Sequence, residues 1–177
     1  MTMNRMVLKA LTMLAVLLAV PAWAQTQAQP SSQPQSASGL PLPRYVSLRA
    51  EEVNLRTGPG VRYPIEWVIA KRELPVEIIA EFETWRKIRD FQGTDGWVHQ
   101  TMLTGRRTLL VTGSAIRKLR RTDSEEAAPL ANVEPGVIGR LLQCPRNSSL
   151  CRVEIEGYQG WLKRDEFWGV YKGEYIE

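Results

Sequence analysis

From Tyr45 onward, apolar and polar residues alternate over short runs that are separated by Gly, Pro, Asn and Asp. No stretch of this region keeps apolar residues at the i, i+3, i+4, i+7 spacing of an amphipathic helix. Alternation with period two, bounded by turn residues, instead indicates half-buried strands. Five such strands are predicted in the first half of the chain, at Val53–Arg56, Trp67–Ala70, Val76–Ala80, Trp85–Asp90 and Gly96–Val98. Five short strands in about 60 residues are typical of a small β-barrel or tight sandwich.

The second half of the chain repeats the pattern of the first at a spacing of about 64 residues, which is close to the lower size limit for an independent fold. Four ordered pairs carry the repeat: Leu55–Arg56 with Leu119–Arg120, Lys71–Val76 with Asn132–Val137, Trp85–Ile88 with Leu150–Val153, and Gly93–Val98 with Gly157–Leu162. We therefore predict an all-β protein with one barrel over residues 44–107 and a second over residues 108–177.

Three motifs of the first repeat give a family resemblance: Val53–Gly60, Tyr63-Pro64 and Gly96–Val98. In this order they resemble the bacterial SH3 family (SH3b), in particular tandem-repeat exported proteins of alphaproteobacterial type. The second repeat keeps Leu119–Thr122 but replaces the Gly-Pro turn with the acidic stretch that starts at Asp123. The resemblance implies two SH3-like barrels that recognise peptidoglycan or a protein partner by a groove between loops.

The N-terminus has the organisation of an export signal. Arg5 and Lys9 precede an apolar run over residues 10–20, and Ala22-Trp23-Ala24 follows as a cleavage site. We predict a signal peptide over residues 1–24, no transmembrane anchor after its cleavage, and a periplasmic or secreted protein. Residues 25–43 are rich in Gln, Ser and Pro and carry no charge, so they are predicted to form a disordered linker.

Cys144 and Cys151 are the only two cysteines. In an oxidising compartment, thiols this close in sequence usually pair, so we predict a disulfide between them. Two free buried thiols are the alternative.

The charge balance argues against a nucleic-acid partner. The chain carries a net charge of +4, and loss of Arg5 and Lys9 with the signal leaves +2. Positive and negative residues alternate along the chain and form no basic stripe of the kind that phosphate backbones require.

No combination of residues predicts an enzyme, a metal or a cofactor. His99 is the only histidine, so a zinc site would lack ligands once the cysteines pair. A Cys–His nucleophile would need Cys144 or Cys151 at a helix start, where the thiol pKa is lowered, and the pattern predicts no helix there. Gly58-Pro59-Gly60 lacks the lysine and the helix of a phosphate loop.

Arg56, Tyr63 and Trp97 are the candidate ligand-binding residues, because the first repeat alone keeps the full opening motif. Arg56 can donate a fork of hydrogen bonds to a carboxylate, and the aromatic rings offer rigid contact surface. Alternatively, Arg56 pairs with Glu52 or Glu66, and Trp97 belongs to the core. The predicted function is a non-catalytic envelope-binding module; the alternatives are a structural subunit of a periplasmic assembly and, less favoured, an envelope hydrolase.

Overall fold

The protein was analysed as a computed structural model that describes residues 36–177. The predicted signal peptide and residues 25–35 of the predicted linker lie outside the described residues. The described chain forms fourteen strands and two one-turn 3-10 helices. The strands are β1 Arg44–Leu48, β2 Val53–Arg56, β3 Ile65–Ile69, β4 Pro75–Phe82, β5 Trp85–Arg89, β6 Asp95–His99, β7 Leu103–Thr104, β8 Thr108–Val111, β9 Arg117–Arg120, β10 Pro129–Val133, β11 Ile138–Gln143, β12 Leu150–Ile155, β13 Tyr158–Lys163 and β14 Phe167–Trp168. The 3-10 helices are Gln100–Met102 and Arg164–Glu166.

Two seven-stranded antiparallel sheets make up the fold, and they share one topology. The first has the order β3-β2-β6-β5-β4-β1-β7, and the second has the order β10-β9-β13-β12-β11-β8-β14. Each strand of the first sheet therefore has its counterpart seven strands later in the chain. The all-β prediction of two SH3-like barrels in tandem is confirmed, and we call them barrel 1 and barrel 2.

Each barrel closes over its own apolar cluster. In barrel 1, inward residues from β1, β2, β4, β5 and β6 are almost fully buried: Leu48, Val53, Leu55, Val76, Ile88 and Val98. Gly96 lets β6 approach β2 closely, since a Cβ there would stand 2.9 Å from the Cβ of Leu55. Gly160 has the same role in barrel 2, where a Cβ would stand 2.6 Å from Leu119 Cγ.

The sequence pattern missed the strands β1 and β7 of barrel 1. Tyr45, Val46, Ser47 and Leu48 of β1 are all buried, because one face of the strand covers barrel 1 and the other faces barrel 2. A strand that is buried on both faces shows no apolar–polar alternation. Strand β7 has only two residues, which is too short to show any period.

The last eight residues of the predicted linker, residues 36–43, are described by the structure and lie against barrel 1. The backbone N–H of Ser38 donates to Glu81 Oε2 at 2.7 Å, and its hydroxyl donates to Glu81 Oε1 at 2.9 Å. Leu42 packs against the core of barrel 1. Residues 36–43 therefore form a turn held on the barrel, because a buried carboxylate supplies the acceptors that this backbone needs. None of the helices in residues 36–177 has the length and apolar character of a membrane span.

The two barrels meet in a buried junction that joins β1 and β4 to β8, β11 and β14. The hydroxyl of Ser47 lies 2.6 Å from that of Thr108, which in turn donates to the carbonyl of Glu73 at 2.7 Å. Leu110 of barrel 2 belongs to the core cluster of barrel 1, and Trp168 packs against that cluster. The barrels therefore share apolar packing.

Aromatic rings and ion pairs complete the junction. The ring of Tyr45 lies 5.2 Å from Trp168, edge to face, and 4.6 Å from Tyr171. The Tyr171 hydroxyl donates to Glu77 at 2.6 Å, and Arg107 pairs with Glu174 at 2.6 Å. Burial would raise the pKa of Glu174, but the hydrogen bonds from Arg107 and from the Tyr171 backbone outweigh it and hold the pKa below its ordinary value.

Cys144 and Cys151 form a disulfide in the structure. Strand pairing places this disulfide where barrel 1 has the ion pair Glu81–Arg86, with Arg86 Nε 3.2 Å from the Glu81 carboxylate. The two copies thus join the same pair of neighbouring strands by different chemistry. Arg44 adds a second cation to Glu81 at 2.5 Å.

Candidate functional site

The loop between β2 and β3 is held in place by Arg56. Its Nη1 donates to the carbonyl of Tyr63 at 2.8 Å and to the carbonyl of Val61 at 3.1 Å. These are carbonyls of its own loop, so neither of the expected pairings with Glu52 or Glu66 is present among the described residues. Arg56 therefore shapes the loop through the hydrogen bonds of its Nη1 atom.

Barrel 2 uses its arginine in the same way. Arg120 is the counterpart of Arg56, and its Nε donates to the carbonyl of Glu125 at 3.2 Å. The Nη1 atom of Arg120 also lies 3.6 Å from the carboxylate of Glu166. An arginine at the end of this strand thus supports the following loop in both copies.

Tyr63 and Trp97 lie next to Arg56 and are both half-buried. The Tyr63 ring packs on Gly58, where a Cβ would come within 2.4 Å of it, so this position requires a glycine. Trp97 pairs with Arg56 and with Lys87 on the neighbouring strands, and it lies outside the buried core cluster. The structure therefore brings the three predicted site residues together, as a support layer under the loop.

An open cleft lies on the outer side of this loop. One wall is Pro59–Arg62, and the other is the β4–β5 turn Phe82–Trp85 together with His99. The space between the walls is about 630 Å³. We call this site the loop cleft of barrel 1.

The loop cleft exposes apolar and aromatic surface to solvent. Val61 is 79 % exposed and Phe82 is 50 % exposed. Trp85 and His99 lie in the same wall, and the His99 ring lies edge-on to the indole at a centroid distance of 5.6 Å. Large apolar side chains are rarely left exposed together on a small barrel unless they serve a contact.

Polar groups stand at the rim of the cleft. His99 Nδ1 is occupied, because it lies 2.8 Å from the Thr101 hydroxyl and accepts from the backbone N–H of Thr101. The guanidinium of Arg62 lies 5.3 Å from the Tyr63 ring centroid and is exposed. With Glu83 on the opposite wall, the cleft offers one cation and one anion beside its aromatic residues.

The corresponding loops of barrel 2 are bridged to each other. Ser148 donates to Asp123 at 2.6 Å, and Ser149 donates to Glu125 at 3.1 Å. Glu125 also pairs with Lys163, the counterpart of His99. The hydrogen bond from Lys163 is the main cause of a lowered pKa for the Glu125 carboxyl. The acidic stretch that replaces the Gly-Pro turn thus ties the two walls together.

A hollow of about 770 Å³ borders this bridge on barrel 2. Its lining mixes charges of both signs with Val170 and Tyr171. The groove geometry therefore differs between the two copies, and the aromatic cleft belongs to barrel 1.

The residues that line the cleft were not predicted as a site from the sequence. Phe82 and Trp85 flank a two-residue turn. This aromatic pair is the feature of the sequence from which the cleft could have been predicted. Val61 and Arg62 follow the glycine-rich turn directly. Among the described residues, no group of three or more His, Cys, Asp or Glu side chains is arranged to hold a metal ion.

Comparison with known proteins gives a family match in both barrels. The model of the bacterial SH3 domain matches residues 49–105 and 115–169. No curated protein matches the chain. Two structures from Trichomonas vaginalis are similar at 14 % identity: NlpC2, over 73 % of this chain and 48 % of that chain with a TM-score of 0.32, and NlpC1, over 77 % and 49 % with a TM-score of 0.33. The chain thus spans about half the length of each. Because the domain model covers more than half of the sequence, once in each barrel, the chain belongs to the bacterial SH3 domain family.

Proposed function

We propose that this protein is a non-catalytic binding module of the cell envelope and that it recognises peptidoglycan through the loop cleft of barrel 1. The observation that carries the proposal is the contrast between the copies. Barrel 1 leaves an aromatic cleft open, whereas barrel 2 bridges the same two loops with Asp123 and Glu125. A periplasmic or secreted location is part of the proposal, and the Cys144–Cys151 disulfide supports it.

The chemistry of the cleft suits a peptide stem. Phe82 and Trp85 provide flat contact surface for methyl and methylene groups at a small cost in conformational entropy. Arg62 is exposed at the rim and can donate to a carboxylate, which peptidoglycan stem peptides carry. Arg56 and Tyr63 act indirectly, because they fix the loop that carries Val61 and Arg62.

The test is retention of the purified protein on isolated sacculi, with soluble muropeptides as competitor. We expect retention that free muropeptides compete away. Phe82→Ala should weaken it about tenfold, as loss of one well-packed aromatic contact would. Tyr158→Ala is the matched control, because Tyr158 is 58 % exposed and lies on barrel 2.

Two results would overturn the proposal. Equal retention of the parent and Phe82→Ala would exclude the loop cleft as the binding site. Retention that requires a second envelope protein and ignores muropeptides would favour the structural subunit of a periplasmic assembly.

A further inference from the structure

The carboxylate of Glu81 lies between the N-terminal segment of the described chain and the loop cleft of barrel 1. Its side chain is fully buried. It accepts hydrogen bonds from the backbone N–H and the hydroxyl of Ser38 and from Arg44, and Arg86 Nε lies 3.2 Å from it. We call residues 36–43, which include Ser38, the strap. One buried carboxylate thus binds the strap and two arginines at once.

Arg86 connects this attachment to the wall of the cleft. Its Nη1 donates to the carbonyl of Glu83 at 2.8 Å and to that of Trp85 at 2.9 Å, and both residues belong to the wall. Its Nη2 donates to Gln100 Oε1 at 2.7 Å, and the backbone N–H of Gln100 donates to the carbonyl of Thr84 at 2.9 Å. Arg86 is itself buried, so these contacts fix where the turn lies.

The turn needs such support because of its backbone conformation. Glu83 has a φ of 49°, which lies in the left-handed region. A residue with a Cβ adopts this conformation at a cost in energy, and the surrounding contacts must hold it there. The hydrogen bond from Arg86 to the Glu83 carbonyl is such a contact. The position of Phe82 and Trp85 in the cleft therefore depends on where Arg86 lies.

Barrel 2 joins the same two strands by a covalent bond. Cys144 and Cys151 take the places of Glu81 and Arg86 there. A disulfide needs no hydrogen-bond donors, whereas a buried carboxylate must be surrounded by them. The cross-strand link of barrel 1 therefore depends on donors from the strap, and that of barrel 2 does not.

We propose that the strap positions the cleft wall Phe82–Trp85, so that docking of Ser38 on Glu81 raises the affinity of the loop cleft for its ligand. This inference rests on the proposed function, since it concerns regulation of the same site. Among the described residues, Glu81 Oε2 accepts its hydrogen bond from Ser38 alone. Without the strap this oxygen loses its donor, and the carboxylate and Arg86 shift together. The coupling is reciprocal, so a ligand that needs the wall in place also holds the strap on the barrel.

Ser38→Pro in the full chain tests the proposal, because it removes both donors of the strap and leaves Glu81, Arg86 and the cleft residues unchanged. Ala37→Pro is the matched control. Ala37 is exposed and occupies the second position of the turn Ser36–Gly39, where proline is favoured. Ser38→Thr keeps both donors and should behave as the parent does.

Amide exchange without ligand tests the connection between the strap and the wall. The Gln100 N–H, which donates to Thr84, should exchange at least about tenfold faster in Ser38→Pro and at the parent rate in Ala37→Pro. The Leu48 N–H, which donates to the Leu74 carbonyl in the core at 3.0 Å, should keep its rate in both variants. An unchanged Gln100 rate in Ser38→Pro, or an equal acceleration at Leu48, would overturn the proposal.

The affinity for soluble muropeptides tests the effect on the site. Ser38→Pro should weaken binding about five- to tenfold, which is within the range of couplings between distinct sites. Ala37→Pro and Ser38→Thr should bind as the parent does. Affinity equal to that of the parent in Ser38→Pro would contradict the coupling. A parent that binds no muropeptide would contradict the proposed function instead, and the Gln100 exchange rate would still decide whether the strap supports the wall.

Discussion

At the scale of single residues, the sequence motif predicts that Arg56 belongs to the site, and the structure shows that its side chain binds the loop carbonyls. The three motifs of the first repeat contain Arg56, Tyr63 and Trp97, the predicted site residues, and the structure brings these residues together. Which atoms of Arg56 are free could not be predicted, because that depends on where the loop carbonyls of Val61 and Tyr63 turn. The guanidinium binds the loop, and the loop presents Val61 and Arg62.

Arg56→Ala should therefore reduce both stability and sacculus binding. Loss of two charge-assisted hydrogen bonds should lower the free energy of unfolding by about 1–3 kcal/mol. Urea denaturation measures the change, and amide exchange of residues 57–64 should accelerate. Arg62→Ala is the control, since Arg62 is exposed and should weaken binding with a stability change within about 0.5 kcal/mol. Equal stability losses in the two variants would contradict the role assigned to Arg56.

At the scale of strands, the duplication could be predicted from the sequence. Contacts between a strand and distant parts of the chain could not. The pairing of Trp85 with His99, and of Leu150 with Lys163, matches the alignment made from sequence. Strand β1 escaped prediction because its second face contacts barrel 2, which no local pattern reports. The same applies to Phe82, whose place in the cleft depends on a loop about twenty residues earlier.

The disulfide between the strand ends of barrel 2 gives a prediction at this scale. Cys144 and Cys151 are separated by seven positions, so they close a loop of about eight residues. In the chain-entropy model a loop of that length contributes about 2.5 kcal/mol. The double variant Cys144→Ser, Cys151→Ser should lose about this much in guanidinium unfolding. A loss below about 0.5 kcal/mol would show that the strand ends are held by other contacts.

At the scale of the whole molecule, the junction packs the two barrels against each other, and its buried tyrosines make its stability depend on pH in the alkaline range. Burial is the main cause of raised pKa values for Tyr45 and Tyr171, and the Glu77 carboxylate adds to both. Their pKa in the unfolded chain is close to 10.0. The stability that depends on these neutral phenols is fully present below that pH, and it is lost as the pH rises above it.

We expect the free energy of unfolding to decline above pH 10, by about 1.4 kcal/mol per pH unit for each of the two phenols. Tyr171→Phe removes one ionisable group, so its decline should be about half as steep. Denaturant unfolding followed from pH 8 to 12 measures both slopes. The junction account fails if Tyr171→Phe and the parent show the same slope.

The central claim is that the open cleft of barrel 1, and not the bridged loops of barrel 2, contacts the ligand. The indole N–H signals of Trp67, Trp85, Trp97, Trp161 and Trp168 report on different parts of the two barrels, and Trp→Phe variants assign them. Titration of the ¹⁵N-labelled protein with soluble muropeptides should shift the Trp85 signal most and leave Trp161 and Trp168 in place. A shift of Trp161 or Trp168 with an unmoved Trp85 signal would contradict the account.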